Sequence, residues 1–420
     1  MIDDLGFYTV GTEKFYNKIH ALFRSQETNL EIKWNFNDAV FGAIDWTVEP
    51  TESLDELHKI RAQQIRDEFD YVLLFCSGGA DSTNMLFAFL DNGLRVDEIV
   101  ASAPISGLRD WKSNPTDHSV ENTIDETFHT QLPFLKKVQE KHPEIRVTLH
   151  DYFEDMLNYK QDDWLLKGTD WLHPTMAGRY NLDKYLHLKR IAESGKKIAV
   201  VQGIDKPKLI KYKDTMAIMF VDYVYNNKYD SIQHPNTLPV FFYHSPQLPQ
   251  LIVKQAHETA RFLMRPENTL IREAMAYNYD VMTDLKNPKR AVVFNGHNGG
   301  VYERGIVPAI YPTIKKWSFQ AEKPDKMFLG NHDAWFYKHH RGTDVYKMMQ
   351  SDIYHLLTSL DKKFLVVAPN KGILGFTKFQ KIYNIGPTKN FTAGNMLPVI
   401  GDSGMPADDP VIKILGTWLN

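Results

Sequence analysis

Apolar and polar positions along this 420-residue chain fall into blocks that predict strands and helices in turn. Residues 71–76 (YVLLFC) form a continuous apolar run of strand length, as in a parallel strand covered on both faces. From Thr83 the pattern turns helical, with Met85, Leu86, Phe89 and Leu90 at helical spacing. Residues 98–103, 146–150 and 197–202 read as further strands, and 124–141 and 179–194 as helices between them. Strands alternating with helices predict an α/β fold with a doubly wound parallel sheet. Ligands of such a sheet bind at the carboxyl ends of its strands.

Before this unit, 7–10 and 31–35 alternate like strands, 14–23 reads as a helix, and 53–69 reads as a helix leading into the apolar strand. Ser53 followed by Asp55 falls short of capping-box spacing, which leaves that helix start undefined. Beyond Pro207 the rhythm becomes irregular. Residues 251–264, 269–286 and 345–360 read as helices and 364–368 as a short strand. The expected organisation is a small N-terminal α+β appendage (1–65), the doubly wound domain (66–235) and a mostly helical C-terminal extension (236–420).

Between the strand at 71–76 and its helix lie Ser77, Gly78, Gly79, Ala80, Asp81 and Ser82. Two adjacent glycines let main-chain N–H groups approach a ligand without Cβ obstruction. The helix start adds unpaired N–H groups and a positive dipole end, and Ser82 or Asp81 is expected to cap it. Asp81 would repel a bare phosphate, so this turn suits a phosphate bridged by Mg²⁺. There is no Lys after the glycines, so it is not the P-loop of kinases and GTPases, nor is it G-x-G-x-x-G.

The string S-G-G-x-D-S after an apolar strand resembles the PP-loop of the ATP pyrophosphatase superfamily, whose members include asparagine, GMP and NAD synthetases and tRNA-modifying enzymes. The resemblance covers residues 70–210 and implies a HUP-like fold and ATP cleavage between the α and β phosphates, with 77–82 holding the pyrophosphate. It implies that Gly203 and Asp205, after the strand at 197–202, complete the site, with Asp205 and Asp81 sharing Mg²⁺. Lys206 and Lys208 would face the polyphosphate as catalytic cations. Ala101 and Ser102 would lie along the adenine, and Arg179 would contact a phosphate or a substrate carboxylate. Lys211, Tyr212, Lys213, Tyr223 and Tyr225 are candidates for an acceptor pocket.

Composition narrows this. A net charge of −3 implies no strong nucleic-acid or membrane field. The single cysteine, Cys76, excludes an intrachain disulfide framework and fits a reducing compartment. It also argues against the thiolating branch and against sulfate-reducing relatives, which use reactive cysteines. The chain starts Met1-Ile2-Asp3, without the Met-Cys of an asparagine-type glutaminase. With no apolar leader or membrane-length run, the cytoplasm is the expected setting. Asn331-His332-Asp333 and His339-His340 match no metal-ligand spacing. Lysines 362–381 among Phe376, Phe379 and Tyr383 read as a solvated face before an RNA-facing patch.

The leading expectation is therefore an ATP- and Mg²⁺-dependent ligase. It would adenylate a carboxyl or carbonyl oxygen of a small-molecule acceptor and pass it to ammonia or an amine, with a homodimer as one option. The alternatives are a tRNA- or nucleobase-modifying relative and a non-catalytic nucleotide-binding protein.

Overall fold

A computed structural model describes residues 2–103, 131–152, 182–203, 207–222, 234–269, 272–273, 276–281, 289–294, 310–311, 355–368 and 372–392. The chain opens with a three-stranded antiparallel sheet of β1 (Phe7–Val10), β2 (Glu13–Phe15) and β3 (Ile32–Asn35), with β1 central. Helix α1 (Lys18–Thr28) starts later than the expected 14–23. Lys14 and Phe15 belong to β2, and the Asn17 side chain caps the helix by accepting from the N–H groups of Ile19 (2.8 Å) and His20 (3.3 Å). A short α2 (Asp38–Phe41) follows.

Helix α3 (Leu54–Glu68) has a sharp start. The partner of Ser53 is Glu56, not Asp55: Ser53 Oγ accepts from the Glu56 N–H (3.2 Å) and Glu56 Oε2 accepts from the Ser53 N–H (2.8 Å). The capping box is complete, and the spacing read from Asp55 was one residue short.

The centre of the molecule is a five-stranded, all-parallel sheet. Its members are β4 (Tyr71–Phe75), β5 (Glu98–Ala103), β6 (Arg146–Asp151), β7 (Ile198–Gln202) and β10 (Thr237–Phe241), in the order β10-β7-β4-β5-β6. Strand alternation sends Val72, Leu74, Ile99, Ala101, Ala199 and Val201 to one face, into the main core with α3, α4 (Ala80–Leu90), α5 (Leu132–Lys141) and α7 (Pro249–Met264). Leu73, Val100, Ile198 and Val200 go to the other face, where α6 (Leu186–Glu193) contributes Leu188 and Ala192. Helices on both faces and continuous burial make this a doubly wound, Rossmann-like sheet. The expected helices at 124–141 and 179–194 are shorter among the described residues. Positions 124–130 and 179–181 lie outside them, and Leu182–Tyr185 forms a turn.

A second sheet, entirely antiparallel, has the order β11-β12-β8-β9-β15. Its strands are β8 (Lys208–Tyr212), β9 (Thr215–Val221), β11 (Ala276–Val281), β12 (Lys289–Phe294) and β15 (Gln380–Pro387). The expected helix at 269–286 is thus corrected to a strand over 276–281. Tyr277, Tyr279 and Val281 alternate there with Asn278 and Asp280, a period of two that outweighs the helical reading. The described C-terminal region therefore carries strands as well as helix. It also includes β13 (Leu365–Ala368), β14 (Gly372–Phe376) and a short α8 (Lys389–Thr392).

The N-terminal segment docks on this second sheet. Phe41 stacks on Phe220 (centroids 5.5 Å) and Trp46 on Tyr383 (4.7 Å). Fully buried Asp222 accepts from Lys18 Nζ and Tyr8 Oη (both 2.7 Å) and from the Phe379 N–H (3.0 Å). Deleting one member of a buried ion pair strands the other. Lys18→Met should therefore destabilise the protein by about 3–5 kcal/mol in urea unfolding. A loss below about 1 kcal/mol would mean that Tyr8 and the Phe379 N–H alone satisfy Asp222.

Candidate functional site

The order of the parallel sheet reverses between β4 and β7, whose outgoing connections run to opposite sides. That switch point is where open α/β sheets bind ligands, and the 77–82 loop stands at its carboxyl edge. The Cys76 N–H still pairs with the Val100 carbonyl (3.0 Å). The chain then turns through Gly78 at φ +77°, where a Cβ would also lie 3.0 Å from Gln131 Cα. Both conformation and space require glycine there. Gln131 in turn donates to the Cys76 carbonyl (2.8 Å).

Helix α4 begins at Ala80 rather than Thr83, and its cap is the Gly79 main chain, not the side chain of Asp81 or Ser82. The serines brace the loop instead. Ser82 Oγ accepts from the Ser77 N–H (3.2 Å) and donates to the Gly79 carbonyl (3.2 Å), while Ser77 Oγ accepts from the Gly79 N–H (3.2 Å). Two of the expected phosphate donors, the N–H groups of Ser77 and Gly79, therefore meet hydroxyls. The N–H groups of Ala80 and Ser82 have no hydrogen-bond partner among the described residues, as befits a helix N-terminus. An anion at this edge would meet those amides and the two hydroxyls together.

Asp81 sits in the first turn of α4, half-buried, with its main chain and carboxylate both engaged. Its carbonyl accepts from Tyr243 Oη (2.7 Å), and its Oδ1 accepts from Tyr311 Oη. Asn84, one helical turn on, donates to Tyr243 Oη (3.1 Å). Burial first, then the neighbouring Asp81, pushes the Tyr243 phenol well above its ordinary range, so Tyr243 is a neutral donor. Neither tyrosine stands out in sequence: Tyr243 lies within a proline-rich, aromatic stretch over 236–249 and Tyr311 in a region with no predicted element.

Gly203, at the end of β7, touches the loop directly. A Cβ there would lie 3.1 Å from the Asp81 carbonyl oxygen and 3.2 Å from Ser82 Cα. Just before it, Gln202 is 3% exposed, and neither carboxamide atom has a hydrogen-bond partner among the described residues. A buried amide left so is uncommon in a native structure, and only its burial could have drawn attention to it. Ala101 faces the main core. Ladder parity turns the Ser102 main chain toward the β4 side, past the end of that strand. Lys208 is 5% exposed at the first position of β8. Lys211 and Tyr212 share that strand, and Lys213 occupies the β8–β9 turn at φ +50°. Asp205, Lys206, Arg179, Tyr223 and Tyr225 lie outside the described residues, as do residues 331–340. Among the described residues no three His, Cys, Asp or Glu side chains gather as a metal cluster.

Cys76 is buried, and burial raises its thiol pKa against hydrogen bonds from Gly78 and Ser82. A neutral thiol so enclosed is not a nucleophile. No helix among the described residues is long and apolar enough to cross a membrane. No protein-family model, curated protein or solved structure matches this chain.

Behind the tyrosines lies His58, 2% exposed, its ring 5.9 Å from that of Tyr243 and 6.2 Å from that of Tyr311. Among the described residues neither ring nitrogen has a hydrogen-bond partner, and burial pulls the pKa down to about 3. Between about pH 6.5 and 3 the unfolded chain binds a proton at this position and the fold does not. Stability is therefore fully present above that window and falls as the pH drops through it. Urea midpoints at pH 7.5, 6 and 5 should fall more steeply for wild type than for His58→Leu, by about 1.4 kcal/mol per pH unit at most. Parallel curves would show that His58 is protonated within the fold.

Proposed function

We propose that this protein is an ATP-dependent, AMP- and pyrophosphate-forming ligase of the PP-loop kind. The observation that carries the reading is the S-G-G-x-D-S turn at the sheet's switch point, with the start of α4 opening onto the carboxyl edge. The orphaned Gln202 carboxamide, beside the glycine packed on that turn, is a further group whose hydrogen bonds a bound nucleotide would complete.

In this reading the amides of Ala80 and Ser82, with the hydroxyls of Ser77 and Ser82, hold the departing pyrophosphate. Asp81, joined by Asp205, is the carboxylate set suited to Mg²⁺. Mg²⁺ bound there supplies charge neutralisation on the phosphate oxygens. Lys206 and Lys208 add positive charge along the chain, and the Ser102 main chain offers the adenine edge a donor and an acceptor. A carboxyl or carbonyl oxygen of the acceptor attacks the α phosphorus, and the bond to the bridging oxygen breaks toward pyrophosphate. Ammonia or an amine then attacks the activated carbon and releases AMP. The protein's work is positioning and electrostatic stabilisation. A single buried cysteine suits a reducing, cytoplasmic setting.

The test is incubation with ATP, Mg²⁺ and a panel of small carboxylates, scoring AMP and pyrophosphate. Asp81→Asn should lower pyrophosphate exchange by about 10²-fold or more while leaving the melting temperature near that of wild type. ADP as product, or exchange that survives the substitution, would sink the assignment. Nucleotide binding without turnover against any acceptor would instead favour a non-catalytic nucleotide-binding protein.

A further inference from the structure

We propose that Tyr311 and Tyr243 are positioning residues for Asp81, clamping its side chain and its main chain so that the carboxylate meets the metal of a bound nucleotide in one orientation. The inference rests on the nucleotide reading above and adds to it a contribution from the C-terminal region.

The hydrogen-bond directions are set by donor counting. A tyrosine hydroxyl has one hydrogen to give. Asn84 donates to Tyr243 Oη at 3.1 Å, so that oxygen's own hydrogen is available for the Asp81 carbonyl, 2.7 Å away. The Tyr311 hydroxyl lies within reach of both Tyr243 and Asp81 Oδ1; the carboxylate can only accept and is the stronger acceptor, so the Tyr311 hydrogen goes to Oδ1. Asp81 is thus held at two points by neutral donors, which orient the carboxylate without cancelling its charge. A lysine or arginine in either place would satisfy the same oxygens and oppose a cation.

The clamp is rigid because its rings have nowhere to go. Tyr243 and Tyr311 are both fully buried, with centroids 5.4 Å apart, and His58 packs against each. The two tyrosines reach Asp81 from distant stretches of chain, one just after β10 and one far beyond α7. Gly203 presses on the same carbonyl region from the β7 side. Outer partners that fix a ligating carboxylate typically matter about 10–100-fold in metal affinity.

The experiment is a Mg²⁺ titration of full-length wild type, Tyr311→Phe and Tyr243→Phe. Each is held at a fixed concentration of an ATP analogue with a methylene bridge between the α and β phosphates, with bound nucleotide as the readout. Both substitutions keep the ring and remove only the hydroxyl. Tyr311→Phe should need about 10–100-fold more Mg²⁺ for half-maximal binding, with unchanged affinity for the analogue when Mg²⁺ is absent. Tyr243→Phe should shift the same midpoint in the same direction, and it serves as the second variant if Tyr311→Phe does not fold. A merely structural role would lower both affinities together, and that result overturns the proposal. A midpoint that is unchanged or lower also overturns it, the latter meaning that the phenol competes with the metal. If wild type shows no Mg²⁺-dependent binding, the nucleotide reading falls and this inference with it. If wild type binds normally and the variants match it, only the clamp is refuted.

Discussion

The approach of Gly203 to the main chain of Asp81 and Ser82 is the contact on which the site depends. Any side chain at 203 would meet a carbonyl oxygen and a Cα inside ordinary contact distance. A Cβ here would push the ends of β4 and β7 apart by a few tenths of an ångström, so their close convergence is favoured by a residue without one. These two strands are the pair at which sheet order reverses, so one close approach closes the floor of the crevice and sets the start of α4. The same economy governs Gly78 on the opposite side, where the turn passes under Gln131. Between them the 77–82 loop is confined, and its serines satisfy part of its own main chain.

Around that floor the site draws on widely separated segments. The capping box that sharpens α3 places His58 in the second turn of that helix, level with the carboxyl edge of β4. The end of β10 supplies Tyr243, and the region beyond α7 supplies Tyr311. Through Asp222 and the Phe41, Trp46, Phe220 and Tyr383 contacts the N-terminal segment joins the second sheet to the same continuous core. The N-terminal segment is thus packed into the molecule's main hydrophobic core.

Much of the parallel sheet was legible because its strands are buried on both faces and therefore read as unbroken apolar runs, as in β4 and β7. The loop was legible for a related reason, since two glycines after such a run mark a tight turn into the helix that follows. Elsewhere local pattern misled. The α3 start turned on Glu56 rather than Asp55, a difference of one residue that decides whether a side chain can reach back to the cap. At 276–281 the helix read over 269–286 missed a six-residue alternation. Strands that pair with distant partners leave only that short-range trace, because their stabilisation comes from chain far away in sequence.

By itself, the amino-acid sequence determined that an apolar parallel strand ends in a glycine turn and a helix start, because burial and backbone freedom are local demands written at consecutive positions. Tertiary structure alone decided what surrounds Asp81. It brought two tyrosine hydroxyls, a buried imidazole and an unpartnered glutamine amide together at one strand edge. Hydrogen bonds between residues more than 150 positions apart leave no periodicity in the chain, and so they become visible only once the sheets have closed.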